Sequence, residues 1–127
     1  MDIVMRIISK KIQSEFFQAV QSGKKKFELR KDEDGIQEGD FIILHEWIND
    51  EYTGRSVVGR VGFVLRGFEG LEEGYCVFSF HQVSDTRKRQ IINAYANPAT
   101  ERDGKWAIVD NSSVPRKLLS EGYREEE

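Results

Sequence analysis

The segment Gly23-Lys24-Lys25-Lys26-Phe27-Glu28-Leu29-Arg30 sets a glycine, a lysine, a carboxylate and a guanidinium at the spacing Gly-x-Lys-x-x-Glu-x-Arg. Cations gathered with a carboxylate at the mouth of a cleft can grip phosphate, read a base edge or move a proton. The spacing narrows the chemistry to those options without choosing among them. In an extended segment side chains alternate between faces, so Glu28 and Arg30 point the same way. Lys26 shares their parity, whereas Lys25 reaches the same site only if the chain turns there. Lys24 and Lys31 add positive charge on either side. Taken alone, such a Glu–Lys–Arg set also describes a surface ion network, which is usually worth little.

Three further groups bear on chemistry. Tyr52-Thr53-Gly54-Arg55 falls between two apolar runs, where an exposed Tyr can stack on a base and an Arg can hold a phosphate. It reads equally well as a turn with its glycine at positive φ. Glu46 lies on an otherwise apolar parity, so as a buried carboxylate it needs a cation, Arg30 or Arg55. His45, His81 and Cys76 show no metal-ligand spacing, and neither histidine has an evident Ser or Cys partner. Cys76 reads as an inert core thiol. Phosphate-cradling glycine fingerprints are absent from the sequence, and no cofactor or metal is expected.

The elements that must position these residues follow from periodicity. Ile3 to Ser9 reads as a first strand. Ile12, Phe16, Ala19 and Val20 recur at helical spacing as a core-facing stripe, with Gln13, Glu15, Gln18 and Gln21 on the wet side. Gly23 can end that helix at positive φ. Phe27 to Arg30 begins a strand that runs into the charged turn Lys31 to Gly35. Phe41 to Trp47 is apolar on both parities and predicts a central strand covered on both faces. Asn49 to Gly54 reads as a polar connection. Val57 to Leu65 and Tyr75 to Val83 predict two more strands, with Gly59 and Gly62 allowing a bend or bulge. Asp85 is placed to cap a helix from Thr86 to about Ala96. Trp106 to Val109 can add a strand, and Val114 to Leu119 a short helix.

The chain has 127 residues, enough for one domain with a real core. Hydrophobic residues make up 39% and charged residues 32%, a globular composition. The net charge of −3 excludes a wholly basic nucleic-acid binder, so any such binding needs a local patch. Patches exist at Lys24-Lys25-Lys26 with Arg30-Lys31, at Arg87-Lys88-Arg89 and at Arg116-Lys117. No apolar run has the length of a membrane span, and a single cysteine suits a reducing cytoplasm.

The motif and its surroundings resemble the ASCH domain family, relatives of the PUA fold. The resemblance rests on Phe16-Phe17, Glu28-Leu29-Arg30-Lys31, Gly39-Asp40, Leu44-His45-Glu46, Tyr52-Thr53-Gly54-Arg55 and Gly74-Tyr75. Together these look like a small subfamily of bacteria and their phages whose function is undefined. The similarity covers about residues 1–84, an ASCH/PUA-like core, and leaves 85–127 as an extension packed on the same domain, with a frayed tail from about 121. It implies an α+β, PUA-like mixed β-pseudobarrel with a covering helix near the N-terminus and extra C-terminal helical elements.

The resemblance also implies a function. PUA-like domains hold RNA, or a single flipped base, in a cleft between barrel and helix. Here Lys24, Lys25, Arg30, Lys31 and Arg55 would meet phosphates or a base edge; Glu28 and Glu46 would accept from base amino groups; Tyr52 would stack, beside Thr53. Some ASCH proteins are amidohydrolases using a Lys, a Thr and a Glu. Their lysine matches Lys25, but their threonine falls where this chain has Glu28, so an enzyme would need Lys25, Glu28 and Glu46 to act through water. The chain therefore reads first as an RNA-binding module, with a hydrolase of a modified nucleoside or RNA, and a protein-interaction regulator using 85–127, as alternatives.

Overall fold

A computed structural model of the protein describes residues 4–97 and 104–110, together with positions 99, 102, 112 and 114. Six strands and two helices succeed one another as β1 (Met5–Gln13), α1 (Ser14–Gln21), β2 (Phe27–Lys31), β3 (Phe41–Ile48), β4 (Glu51–Arg66), β5 (Tyr75–Gln82), α2 (Asp85–Ala96) and β6 (Trp106–Asp110). The strands form one mixed sheet in the order β2-β5-β4-β3-β1-β6. β1 runs parallel to both β3 and β6, and the other neighbours are antiparallel. The architecture is thus α+β, with a helix near the N-terminus and a second helix in the C-terminal part.

The two-sided apolar pattern of β3 produces the layering it predicts. Ile42 and Leu44 enter one core with Ile8, Ile12, Phe17, Val20, Val57, Phe78 and Phe80. Phe41 and Ile43 enter another, on the opposite face, with Ile7, Val58, Ile91, Ile92 and Tyr95. α1 covers the first face and α2 the second. Each fully buried Ile, Leu or Phe is worth about 1.5–3 kcal/mol, so these two layers hold the sheet.

Several boundaries differ from the sequence expectation, each for a local reason. β1 extends to Gln13 because its parallel ladder with β3 continues through Ile12 opposite Glu46 and Gln13 opposite Trp47. The helix therefore starts at Ser14, and its phase turns Phe17 and Val20 inward while Phe16 stays 44% exposed. The expected connection from Asn49 to Gly54 shrinks to Asn49-Asp50, with φ of 52° and 64° as a two-residue hairpin turn of the primed type requires. Tyr52 to Arg55 consequently lie in β4 rather than in a loop. Ser84, one residue before the expected cap, accepts from the Arg87 N–H at the start of α2. The predicted helix over Val114 to Leu119 and the tail from 121 lie outside the described residues, apart from Val114.

Two glycines shape β4. Gly59 lies beneath the Phe80 ring, where any Cβ would run into it. Gly62 sits in a slip of the β4–β5 ladder between Val61 and Val64, against Ser79 and His81. The sheet ends at β2 and β6 with no ladder joining them. Side chains nevertheless draw β2 towards β1: Arg30 Nη1 donates to the Lys11 carbonyl at 2.9 Å. In the loop after β2, Arg6 donates to the Asp34 carbonyl at 2.7 Å, and Lys10 Nζ lies 2.8 Å from Asp34 Oδ2.

Candidate functional site

Gly23, at φ 81°, ends α1, and the chain turns back so that the Lys25 N–H donates to the Ala19 carbonyl at 2.8 Å. That turn lets Lys25 join a group that strict strand parity would deny it. Glu28, on β2, is only 3% exposed. Lys25 Nζ donates to its Oε2 at 2.6 Å, and Arg30 Nη2 to its Oε1 at 3.3 Å. The Lys25 ammonium also lies 5.5 Å from the Phe16 ring centroid and 5.1 Å from that of Phe27, which is 51% exposed. A cation is thus seated between two accessible π faces and fixed from below by a buried carboxylate. Beside it opens a pocket of about 270 Å³ whose walls include Gly23, Lys25, Lys26, Phe80, His81 and Gln82. The α1 end of this pocket is firm, because Gln82 Nε2 donates to the Val20 carbonyl at 2.7 Å and the Gln21 carbonyl at 3.1 Å.

A second carboxylate is built differently. The β3–β4 ladder slips between the pairs His45–Ser56 and Trp47–Tyr52, so Glu46 alone faces Thr53, Gly54 and Arg55. Gly54 takes φ 96° in this bulge. Glu46, 2% exposed, accepts from Ser14 Oγ and Thr53 Oγ1, each at 2.8 Å, and lies 3.7 Å from Arg55 Nε. Arg55 donates from Nη2 to Gln21 Oε1 at 2.6 Å and stacks over Phe17 at 4.8 Å. Of the two cations considered for Glu46, the structure selects Arg55.

The expected single cleft is therefore two groups. On α1, Ser14, Gln18 and Gln21 stand on one flank of the buried Phe17–Val20 stripe and Phe16 on the other, as 100° per residue dictates. Glu46 and Arg55 belong to the first flank, Lys25 and Glu28 to the second, and none of the contacts above joins them. Lys25, Glu28 and Glu46 do not converge as a catalytic trio. Lys24 and Lys31 are exposed, and Thr53 is held on Glu46. Tyr52, partly buried, packs against the α2-side core with an edge contact to the His45 ring at 5.4 Å.

Sequence reasoning missed Ser14 and Gln21 as partners of the Glu46 group; both were visible only as polar positions of the sequence. It also found no partner for His45. Here Ser9 Oγ sits 2.6 Å from His45 Nε2 and donates to Ser112 Oγ at 2.8 Å, and Ser112 in turn donates to Asp110 Oδ1 at 2.9 Å. Tyr95 donates to Asp110 Oδ2 at 2.7 Å. Ser9, His45, Tyr95 and Ser112 are all fully buried, so this chain of polar groups knits β1, β3, α2 and the segment after β6, and it reaches the surface at the exposed Asp110. Burial pushes the His45 imidazole down to about 4, opposed by Asp110, and the Tyr95 hydroxyl up to about 12. Cys76 is buried, and burial raises its thiol. Among the described residues no helix is long and apolar enough to cross a membrane.

Residues 9–80 match the model of a family described as a domain of unknown function, DUF3850. The chain is also 35% identical over 71 residues to an "Uncharacterized 12.9 kDa protein in GpA 3'region" of Escherichia phage P2. That alignment covers 56% of this chain and 65% of the phage protein, so the chain spans about 65% of the length of the relative it matches. The family match runs from the middle of β1 to β5 and contains both carboxylate groups. With more than half of its residues inside that model, the chain belongs to the DUF3850 family.

Proposed function

We propose that this domain binds nucleic acid, RNA in preference to DNA, at the α1–β2 flank carrying Lys25, Glu28 and Arg30. The observation that carries the reading is the Lys25 ammonium seated between the exposed rings of Phe16 and Phe27 above the buried Glu28. Aromatic faces take bases without regard to sequence, cations take the phosphates between them, and a carboxylate oxygen can accept from a base amino group. Lys24 and Lys26 are exposed beside it, and the neighbouring pocket is walled by Lys25, Lys26 and His81. In a chain of net charge −3 this is a local concentration of positive charge.

The same reading extends to the fold. A sheet whose first edge strand is tied back to β1 by Arg30, with α1 lying over the inner core, supports a PUA-like pseudobarrel and kinship with ASCH domains. In that frame the motif glycine ends the helix, the lysine turns in under it, and the glutamate and arginine share the inward face of β2.

The test is an amide-resolved NMR titration of the protein with short single-stranded RNA, duplex RNA and single-stranded DNA at low and moderate salt. Shifts should concentrate on Phe16 and Gly23–Lys31 and fade as salt rises. Lys25→Gln, checked by its melting curve to be folded, should weaken RNA binding about tenfold, the loss of one phosphate contact and one cation–π pair. Equal affinity in Lys25→Gln and wild type would end the assignment to this flank.

A further inference from the structure

The outer face of the sheet is only half covered. Over β1, β3 and the first part of β4 it is buried beneath α2, where Ile91, Ile92 and Tyr95 pack. Over β2, β5 and the rest of β4, Phe27, Leu29 and Phe63 stand 51%, 53% and 70% exposed. Their arrangement follows from the register. Phe27 pairs with Ser79 and Leu29 with Val77 across β2–β5, while Val77 pairs with Leu65 on β4. Phe63 occupies the slip opposite Ser79, donating its N–H to Ser79 Oγ at 2.8 Å, while Val61 and Val64 turn to the inner core. The two phenyl rings therefore flank one β5 residue from either side, two strand spacings or about 10 Å apart.

The charged strand positions of this face are basic. Lys31 follows Leu29 at the next outward position of β2, and Arg60 pairs with His81 at the other end, all three exposed. Outward positions on these strand segments carry no Asp or Glu: Phe27, Leu29 and Lys31 on β2, then Tyr75, Val77, Ser79 and His81 on β5. The chain as a whole has 22 acidic against 19 basic residues, so strand positions without acid are a departure from its average. Exposed apolar surface with a cationic border suits a partner that presents flat π faces strung on a line of negative charge.

We infer that the open β2–β5–β4 face is a platform for single-stranded nucleic acid, with bases stacked on Phe27 and Phe63 and phosphates directed to Lys31, Arg60 and His81. The inference takes its ligand class from the proposed function and adds a surface to it. Phe27 belongs to both, so a strand leaving the Lys25 flank passes directly onto the sheet. A duplex, whose base faces are stacked inside, gains nothing from the two rings, so the platform selects single strands.

Fluorescence anisotropy with a labelled single-stranded RNA 12-mer and its duplex, on the full chain, tests both surfaces at once. Phe63→Ala removes an exposed ring that supports no core. It should weaken single-strand binding about tenfold, leave duplex binding unchanged, and Arg60→Gln should lower the salt dependence. If Lys25→Gln loses affinity and Phe63→Ala does not, the platform is wrong and the flank stands. The reverse result keeps the platform and removes the flank. Absence of binding by wild type overturns both. Sedimentation of wild type as a dimer that Phe63→Ala converts to monomer would give the face to a second copy of the chain and overturn the inference.

Discussion

At the scale of single residues, the carboxylates and the histidine show how environment assigns roles. Glu28 and Glu46 are both buried acids, yet one is held by two cations and the other by two hydroxyls and a stacked guanidinium. The first arrangement leaves a cation facing exposed rings; the second spends its donors locally and fixes α1 to β3 and β4. His45 carries a clear pH signature. Its folded value, about 4, lies below the unfolded 6.5, so between those limits the unfolded chain binds the extra proton. Stability from this group is complete above pH 6.5 and is lost as the pH falls towards 4, by about 3 kcal/mol in all. Urea unfolding of wild type and His45→Gln at intervals from pH 4 to 7 should show a steeper acid loss in wild type. Parallel curves would remove His45 as the source. That Glu28 and Arg30 share a face was legible from strand parity alone. The Ser9–His45–Ser112 chain was not, because it joins residues 36 and 103 positions apart.

At the scale of elements, periodicity found every described strand and both helices but not the phase of α1. The apolar set Ile12, Phe16, Ala19, Val20 and the set Phe17, Val20 both fit a helix. The choice was made by β1, whose ladder claims Ile12 and moves the helix start to Ser14. The bulge around Glu46 likewise escaped the sequence, since Tyr52-Thr53-Gly54-Arg55 carries turn-like chemistry whether it lies in a loop or in a strand. Gly59 is a case where the reason differs from the one read from sequence: close approach of a ring rather than a bend. Gly59→Ala should cost about 2 kcal/mol through overpacking against Phe80. Phe80→Leu in the same chain should return part of that loss, measured as a coupling in a double-mutant cycle of urea midpoints. Simple additivity would mean that the ring is not what Gly59 accommodates.

At the scale of the whole molecule, the β2 end of the sheet is managed by charge. Lys10 is buried with Asp34 at 2.8 Å, Arg6 holds the Asp34 and Gly35 carbonyls, and Arg66 pairs with Asp32 at 2.7 Å and lowers its carboxyl. These contacts fasten the loop after β2 to β1 and β4, where no ladder exists. Lys10→Ala leaves the Asp34 carboxylate without its nearest cation, and should cost about 3 kcal/mol. Amide exchange in that variant should quicken in β2 and residues 32–36 before it does in β3. Uniform acceleration would show that the fastening is not local.

The sequence by itself determined the kind and order of the described elements, the doubly covered β3, the turn at Gly23 and the shared face of Glu28 and Arg30. These depend on repeats of two or 3.6 residues and on local backbone freedom, which neighbours in the chain define. Only the tertiary structure decided which flank of α1 each charged group occupies, that Glu46 takes Arg55, that Lys25 sits between two phenyl rings, and that one half of the outer sheet stays bare. Those outcomes follow from strand register and helix phase, which are set by pairing between residues distant in sequence, where a one-residue slip exchanges the two faces.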